Sequence, residues 1–168
     1  MSEVLKIAII GDYNFTFNAH HATNLSLDHS SEFLEVEINY YWIKISEALK
    51  HKEVYFNQFD GIWIAPGPIE NAFYLNGIFK KIVNKNIPVL ITGEGFKIFL
   101  EYLITQNQLL SQQEKLISEN LVSGSSFERI TIEPKSKEFK QLYENFSNIE
   151  LTSSRYSLYP QLVEQLEL

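Results

Sequence analysis

The chain has 168 residues, 45% of them hydrophobic and 14% aromatic, which is enough to bury a core without disulfides and too apolar for a disordered segment. Its formal net charge is −7 and its basic residues are scattered, which argues against nucleic acid as a partner, because that binding draws on clustered Lys and Arg. There is no cysteine, so disulfides, thiolate metal sites and thiol catalysis are excluded together, and no apolar run approaches the roughly 20 residues needed to cross a bilayer.

In chain order, "VLKIAIIG" (Val4 to Gly11) is a nearly continuous apolar run stopped by glycine, the pattern of a parallel strand covered on both faces. Its N-terminal setting has no basic region and no small-residue cleavage site, so the expectation is a soluble cytoplasmic protein. The stretch "AHHATNLSLDHSSEFL" is expected to be a helix with Ala19, Ala22, Leu25 and Leu27 inward and Asn18 as its cap. "EVEINYYWI" (Glu35 to Ile43) alternates and is rich in β-forming residues, giving a second strand. "FDGIWIAPG" (Phe59 to Gly67) carries a third strand, "AFYLNGIFKKIVNKN" the next helix and "IPVLIT" a fourth strand. Within that helix Lys80, Lys81 and Lys85 are expected on a solvated face. After the turn "TGEG" the helix "FKIFLEYLITQN" is clear. Further on, a strand at Phe127 to Glu133, a helix in "KEFKQLYENF" and a last helix in "YPQLVEQLEL" complete the expectation.

This succession predicts one three-layer α/β domain over residues 1–168, with a mainly parallel, flavodoxin-like central sheet. Ile7, Ile9, Ile62, Ile64, Val89 and Ile91 are its expected buried strand positions. Ligands of such sheets bind beyond the carboxyl ends of the strands. That rule selects "GDYNFTFNAHHATN", the end of strand two at Trp42, "APGPIEN" and "TGEG". Asp12, Asn14, His20, Asn24, Gly67, Glu70, Gly93 and Glu94 are therefore the candidate site residues, with substitution of His20 or Glu94 expected to weaken ligand binding at little cost in stability.

"KIAIIGDYNFTFNAHHATNLSL", "FDGIWIAPG" and "IPVLITGEGFKIFLEY", in that order, resemble the class I glutamine amidotransferase domain, in particular the C-terminal domain of CTP synthase and a stand-alone group related to it. The resemblance runs from Lys6 to about Tyr102, with a fainter continuation in "SSRYSLYP" (Ser153 to Pro160). It implies a nucleophile elbow at "TGEG", where the family places a cysteine that attacks the glutamine side-chain amide. Gly93 occupies that position here. The resemblance also implies a catalytic His and Glu downstream, yet His20, His21, His29 and His51 all precede the elbow. Pro68 falls at or beside the loop donor of the family's oxyanion hole, and proline has no N–H to give. The resemblance further leads to the expectation of a domain truncated at its C-terminus relative to the family.

These departures lead to the expectation of a binding module without glutaminase activity and without a cofactor, holding a small polar metabolite or a partner enzyme, or pairing with a second copy of itself. A rival reading is a rebuilt acid–base site using Glu94, His20 and Asp12 on another substrate. Two readings of Glu94 stand, as a group in the site or as a carboxylate favoured by a helix N-terminus. Two stand for His20 as well, pocket lining or a satisfied core residue. His20, His21, Asp28 and His29 do not make a metal site by themselves. On one helix His21 and Asp28 lie about 10 Å apart along the axis, and completing a site needs Asp12 or Glu70 from a loop.

Overall fold

The structure is a computed structural model that describes residues 4–83, 85–109, 117–119, 128–144, 147–152 and 156–159. The chain divides into two compact units, Met1–Leu110 and Ser111–Leu168.

The first unit is a four-stranded, wholly parallel sheet in the order β2-β1-β3-β4, built from β1 (Val4–Ile10), β2 (Glu37–Ile43), β3 (Gly61–Ile64) and β4 (Val89–Ile91). Helices α1 (Asn18–Leu34), α2 (Ile45–Lys50), α3 (Ala72–Ile82) and α4 (Gly93–Gln106) flank it, with a 3-10 turn over Glu53–Gln58. This is the expected α/β architecture; α2 and the 3-10 turn are additions to the elements read from sequence.

The two-residue period of the strands sorts side chains between two faces. Ile10, Ile43, Ile64 and Ile91 stand in register on one face, and Ala8 and Ile62 pair on the same side. There they meet Ile45 and Ala48 of α2, Phe56 of the 3-10 turn, Leu75, Ile78, Phe79 and Ile82 of α3, and Ile98 of α4. Ile9, Trp42 and Trp63, also in register, face the other way, where the indole of Trp42 reaches Asn24 of α1. Of the expected buried strand positions, Ile9, Ile62 and Ile64 are fully buried and Ile7, Val89 and Ile91 are half-buried.

Helix α1 differs from its predicted face. Its buried residues are His20 and Thr23, whereas Ala19, Ala22 and Leu25 are exposed, and Phe17 rather than Asn18 is the N-cap. A helix rich in Ser, His and Asn carries a weak apolar stripe, so the polar bonds of His20 and Asn24 orient it instead of hydrophobic periodicity. Lys81 and Lys85 are half-buried, with only Lys80 on the expected solvated face. Among the described residues, no helix is long and apolar enough to cross a membrane.

In the second unit, β5 (Ile117–Glu119) pairs antiparallel with β8 (Tyr156–Leu158), and β6 (Glu128–Thr131) pairs antiparallel with β7 (Ile149–Thr152). Helix α5 (Lys137–Tyr143) is capped by Ser136, whose Oγ accepts from the Phe139 N–H at 3.0 Å. The predicted strand near Glu128 and helix near Lys137 are thus present, while "YPQLVEQLEL" lies outside the described residues apart from Tyr159.

Candidate functional site

Because all four strands of the first unit are parallel, the segments that follow β1, β3 and β4 gather at one edge of the sheet. The turn after β4 is a sharp passage into α4. Gly93 has φ 56°, a left-handed conformation that costs an L-residue about 1–2 kcal/mol, and α4 begins at that residue. The geometry is that of an elbow that would present the residue at 93 to the sheet edge. Gly93 itself is exposed, but the loop after β3 blocks the direction its side chain would take: a Cβ placed on Gly93 would collide with the Pro66 carbonyl oxygen and stand 2.9 Å from both Pro66 Cα and Pro66 Cβ. No side chain fits at the apex without displacing backbone.

The polar groups around the apex are engaged within the chain. The Glu94 N–H, the donor that follows the apex, donates to Pro66 O at 2.8 Å. The Gly67–Pro68 peptide bond is cis and Pro68 offers no donor. The next N–H of the loop, that of Ile69, donates to Glu94 Oε2 at 2.9 Å. Glu94 also covers Gly67, whose φ is 103°; a Cβ there would lie 2.8 Å from Glu94 Oε2. Thr92 completes the elbow, accepting from Trp63 Nε1 at 2.9 Å and donating from Oγ1 to Ile64 O at 3.3 Å.

His20 joins the loop after β1 to the loop after β3. The Asn14 N–H donates to its Nδ1 at 2.9 Å, and its Nε2 lies 2.9 Å from Gly67 O. An imidazole nitrogen that accepts from an N–H carries no proton, so the tautomer is assigned with hydrogen on Nε2, donating to the Gly67 carbonyl. The ring is 1% exposed and sits 5.0 Å from Trp42 and 5.8 Å from Tyr13, centroid to centroid. Of the two readings left open for His20, the satisfied core residue is the one this geometry favours.

The remaining candidates divide. Asn14 uses its side-chain oxygen to take the Thr16 N–H and hydroxyl, shaping its own loop. Asn24 accepts from the Trp42 indole at 2.8 Å. Asp12 and Glu70 are exposed at the rim. Asp28 and His29 lie further along α1, and burial followed by the nearby Asp28 carboxylate raises the Tyr40 phenol above its ordinary value. Gly67, Gly93, Glu94 and His20 are the candidates brought together. Sequence reasoning missed Pro66 and Tyr13, which supply the block at the apex and the ring beside His20; glycine at the apex of an elbow is the one signal that pointed to a close approach there.

Glu94 acts on the loop rather than on open space. Glu94→Ala, which leaves the Ile69 N–H without its acceptor, is expected to lower stability by about 1–2 kcal/mol. Glu94→Gln, which keeps an acceptor oxygen, is expected to lose less. Urea-unfolding midpoints give the order, and equal midpoints for all three proteins would remove Glu94 from this role.

No family model matches the chain, and no curated protein sequence matches it. Among solved structures it is similar to the glutaminase domain of a CTP synthase from Trypanosoma brucei with bound acivicin, at a TM-score of 0.70 and 16% identity, covering 96% of this chain and 72% of that one. That likeness is one of fold, and it is the glutamine amidotransferase-like fold.

Proposed function

We propose that this chain is a glutamine amidotransferase-like protein that has kept the scaffold and given up amide hydrolysis, and that it serves as a binding module. The observation that carries the reading is the Pro66 backbone standing in the space a nucleophilic side chain at Gly93 would need. Two further facts support it. The chain contains no cysteine, and the Glu94 N–H, which such an elbow directs at a developing oxyanion, is committed to Pro66 O.

A partner protein is the better-supported occupant than a small metabolite. Glu94 and His20 are bonded within the chain, whereas Phe15 in the loop after β1 and Phe73 at the start of α3 are each 75% exposed, and Asp12 and Glu70 are exposed in the loops after β1 and β3. Exposed aromatic side chains of this kind serve as interface anchors. The acid–base alternative through Glu94, His20 and Asp12 is less favoured, because the bonds of His20 leave no ring lone pair for a substrate and one oxygen of Glu94 is taken by Ile69.

Incubation with glutamine tests the proposal. Ammonia release is expected to match a heat-inactivated control, and glutamine is expected to leave the melting temperature unchanged, since a ligand that binds only the folded state must raise it. Ammonia release proportional to protein concentration would overturn the inactive reading, and a saturable rise in melting temperature would restore a small-molecule site at the elbow.

A further inference from the structure

At the other end of the strands from the elbow, four lysines from two separate stretches of sequence line one concavity of about 720 Å³. Lys50 ends α2, Lys52 precedes the 3-10 turn, Lys81 lies in the last turn of α3 and Lys85 follows it; His51, Val54, Asn57 and a single carboxylate, Glu53, complete the wall. The net charge of the chain is −7, yet this lining carries four ammonium groups against one carboxylate. None of the four is in an ion pair among the described residues.

Helix ends explain two of these cations. A helix C-terminus favours positive charge, and Lys81 Nζ donates to the carbonyls of Leu49 and His51, tying α3 to the end of α2. Lys52 and Lys85 lie beyond the helices. Lys85 Nζ donates to Asn57 Oδ1 at 2.6 Å, which positions the ammonium without neutralising it. Carbonyl and amide acceptors thus hold Lys81 and Lys85 in place without a carboxylate partner among the described residues, and Lys50 and Lys52 add exposed charge. Mutual repulsion among such groups is relieved by a multivalent anion. Ammonium groups suit phosphate as point charges, and the volume falls within the roughly 300–1,000 Å³ usual for small-molecule sites.

We propose that this concavity binds a small molecule bearing a di- or triphosphate group. The inference stands apart from the reading of the elbow, since it uses none of the same residues. An extended nucleic acid is a different occupant, opposed by the acidic charge of the chain as a whole.

Titration calorimetry of the intact chain with inorganic tripolyphosphate at low salt is the test. Saturable one-to-one binding is expected. Lys52→Gln/Lys85→Gln is expected to weaken it at least about tenfold, as loss of charge-assisted hydrogen bonds requires. Lys50→Gln/Lys52→Gln, which alters only exposed side chains, is expected to weaken it in the same direction without change in melting temperature. Lys44→Gln, exposed and outside the concavity, is expected to bind as the parent does. Absence of saturable binding would overturn the proposal, as would equal weakening by Lys44→Gln or tighter binding of duplex DNA than of tripolyphosphate.

Discussion

Gly93→Cys is expected to destabilise the first unit by about 2–5 kcal/mol and to leave the protein without glutaminase activity. The energetic part comes from the Cβ, not the thiol. A left-handed φ of 56° costs a non-glycine residue about 1–2 kcal/mol, and forcing an atom into a filled space costs about 1–3 more. The colliding group is the Pro66 carbonyl, with Pro66 Cα only 2.9 Å away, so a change of side chain at 66 does not relieve the overlap. For a unit of this size, at roughly 4–8 °C per kcal/mol, the melting temperature is expected to fall by about 10 °C or more. Gly93→Ala is expected to fall nearly as far, because it adds the same Cβ. A Gly93→Ala protein melting within about 2 °C of the parent would show that the loop does not block a side chain at the elbow.

The catalytic part follows from what a thiol at 93 would lack. A thiol at the ordinary value of about 8.5 is mostly protonated at neutral pH and needs a neighbouring base. His20, the imidazole nearest the elbow loops, spends its Nδ1 on the Asn14 N–H and its Nε2 hydrogen on Gly67 O. The N–H of Glu94 is bound to Pro66 O. Nucleophile, base and oxyanion donors act as a unit, so restoring one of them restores little.

His20→Ala is expected to cost about 3 kcal/mol, read as a lower urea midpoint with an unchanged slope. The substitution leaves the Asn14 N–H and the Gly67 carbonyl without partners beneath a ring that was 1% exposed, and each unpaired buried group costs about 1–3 kcal/mol. It also removes the ring that packs against Trp42 and Tyr13. His20→Phe separates the two contributions: it keeps the ring and loses both hydrogen bonds, so a loss of about 2 kcal/mol is expected to remain. Stability of His20→Ala within about 0.5 kcal/mol of the parent would return His20 to the role of a pocket-lining group. The expectation from sequence, that His20 could be removed at little cost, rested on reading it as a pocket-lining group, with a satisfied core residue as the alternative.

The elements of the first unit were legible because strand and helix patterns are local. The apolar runs at Val4 to Ile10 and Gly61 to Ile64 mark doubly covered strands whatever surrounds them. Helix α1 was legible in its existence and not in its rotation. Its inward residues, His20 and Thr23, are polar, and their burial rests on partners distant in sequence or on the α1 backbone itself, such as Gly67 O for His20 and Ala19 O for the Thr23 hydroxyl.

By itself the sequence determined the parallel α/β scaffold, the position of the elbow and the absence of a thiol, since each is written in local pattern or composition. Only the tertiary structure decided that Pro66 stands where a side chain at the elbow would go, that His20 is a strut between two loops, and that Lys50, Lys52, Lys81 and Lys85 share one concavity. The reason is physical: a backbone carbonyl such as that of Pro66 has no sequence signature of its own. Where it lies depends on how two strands pair, and parallel pairing joins residues tens of positions apart.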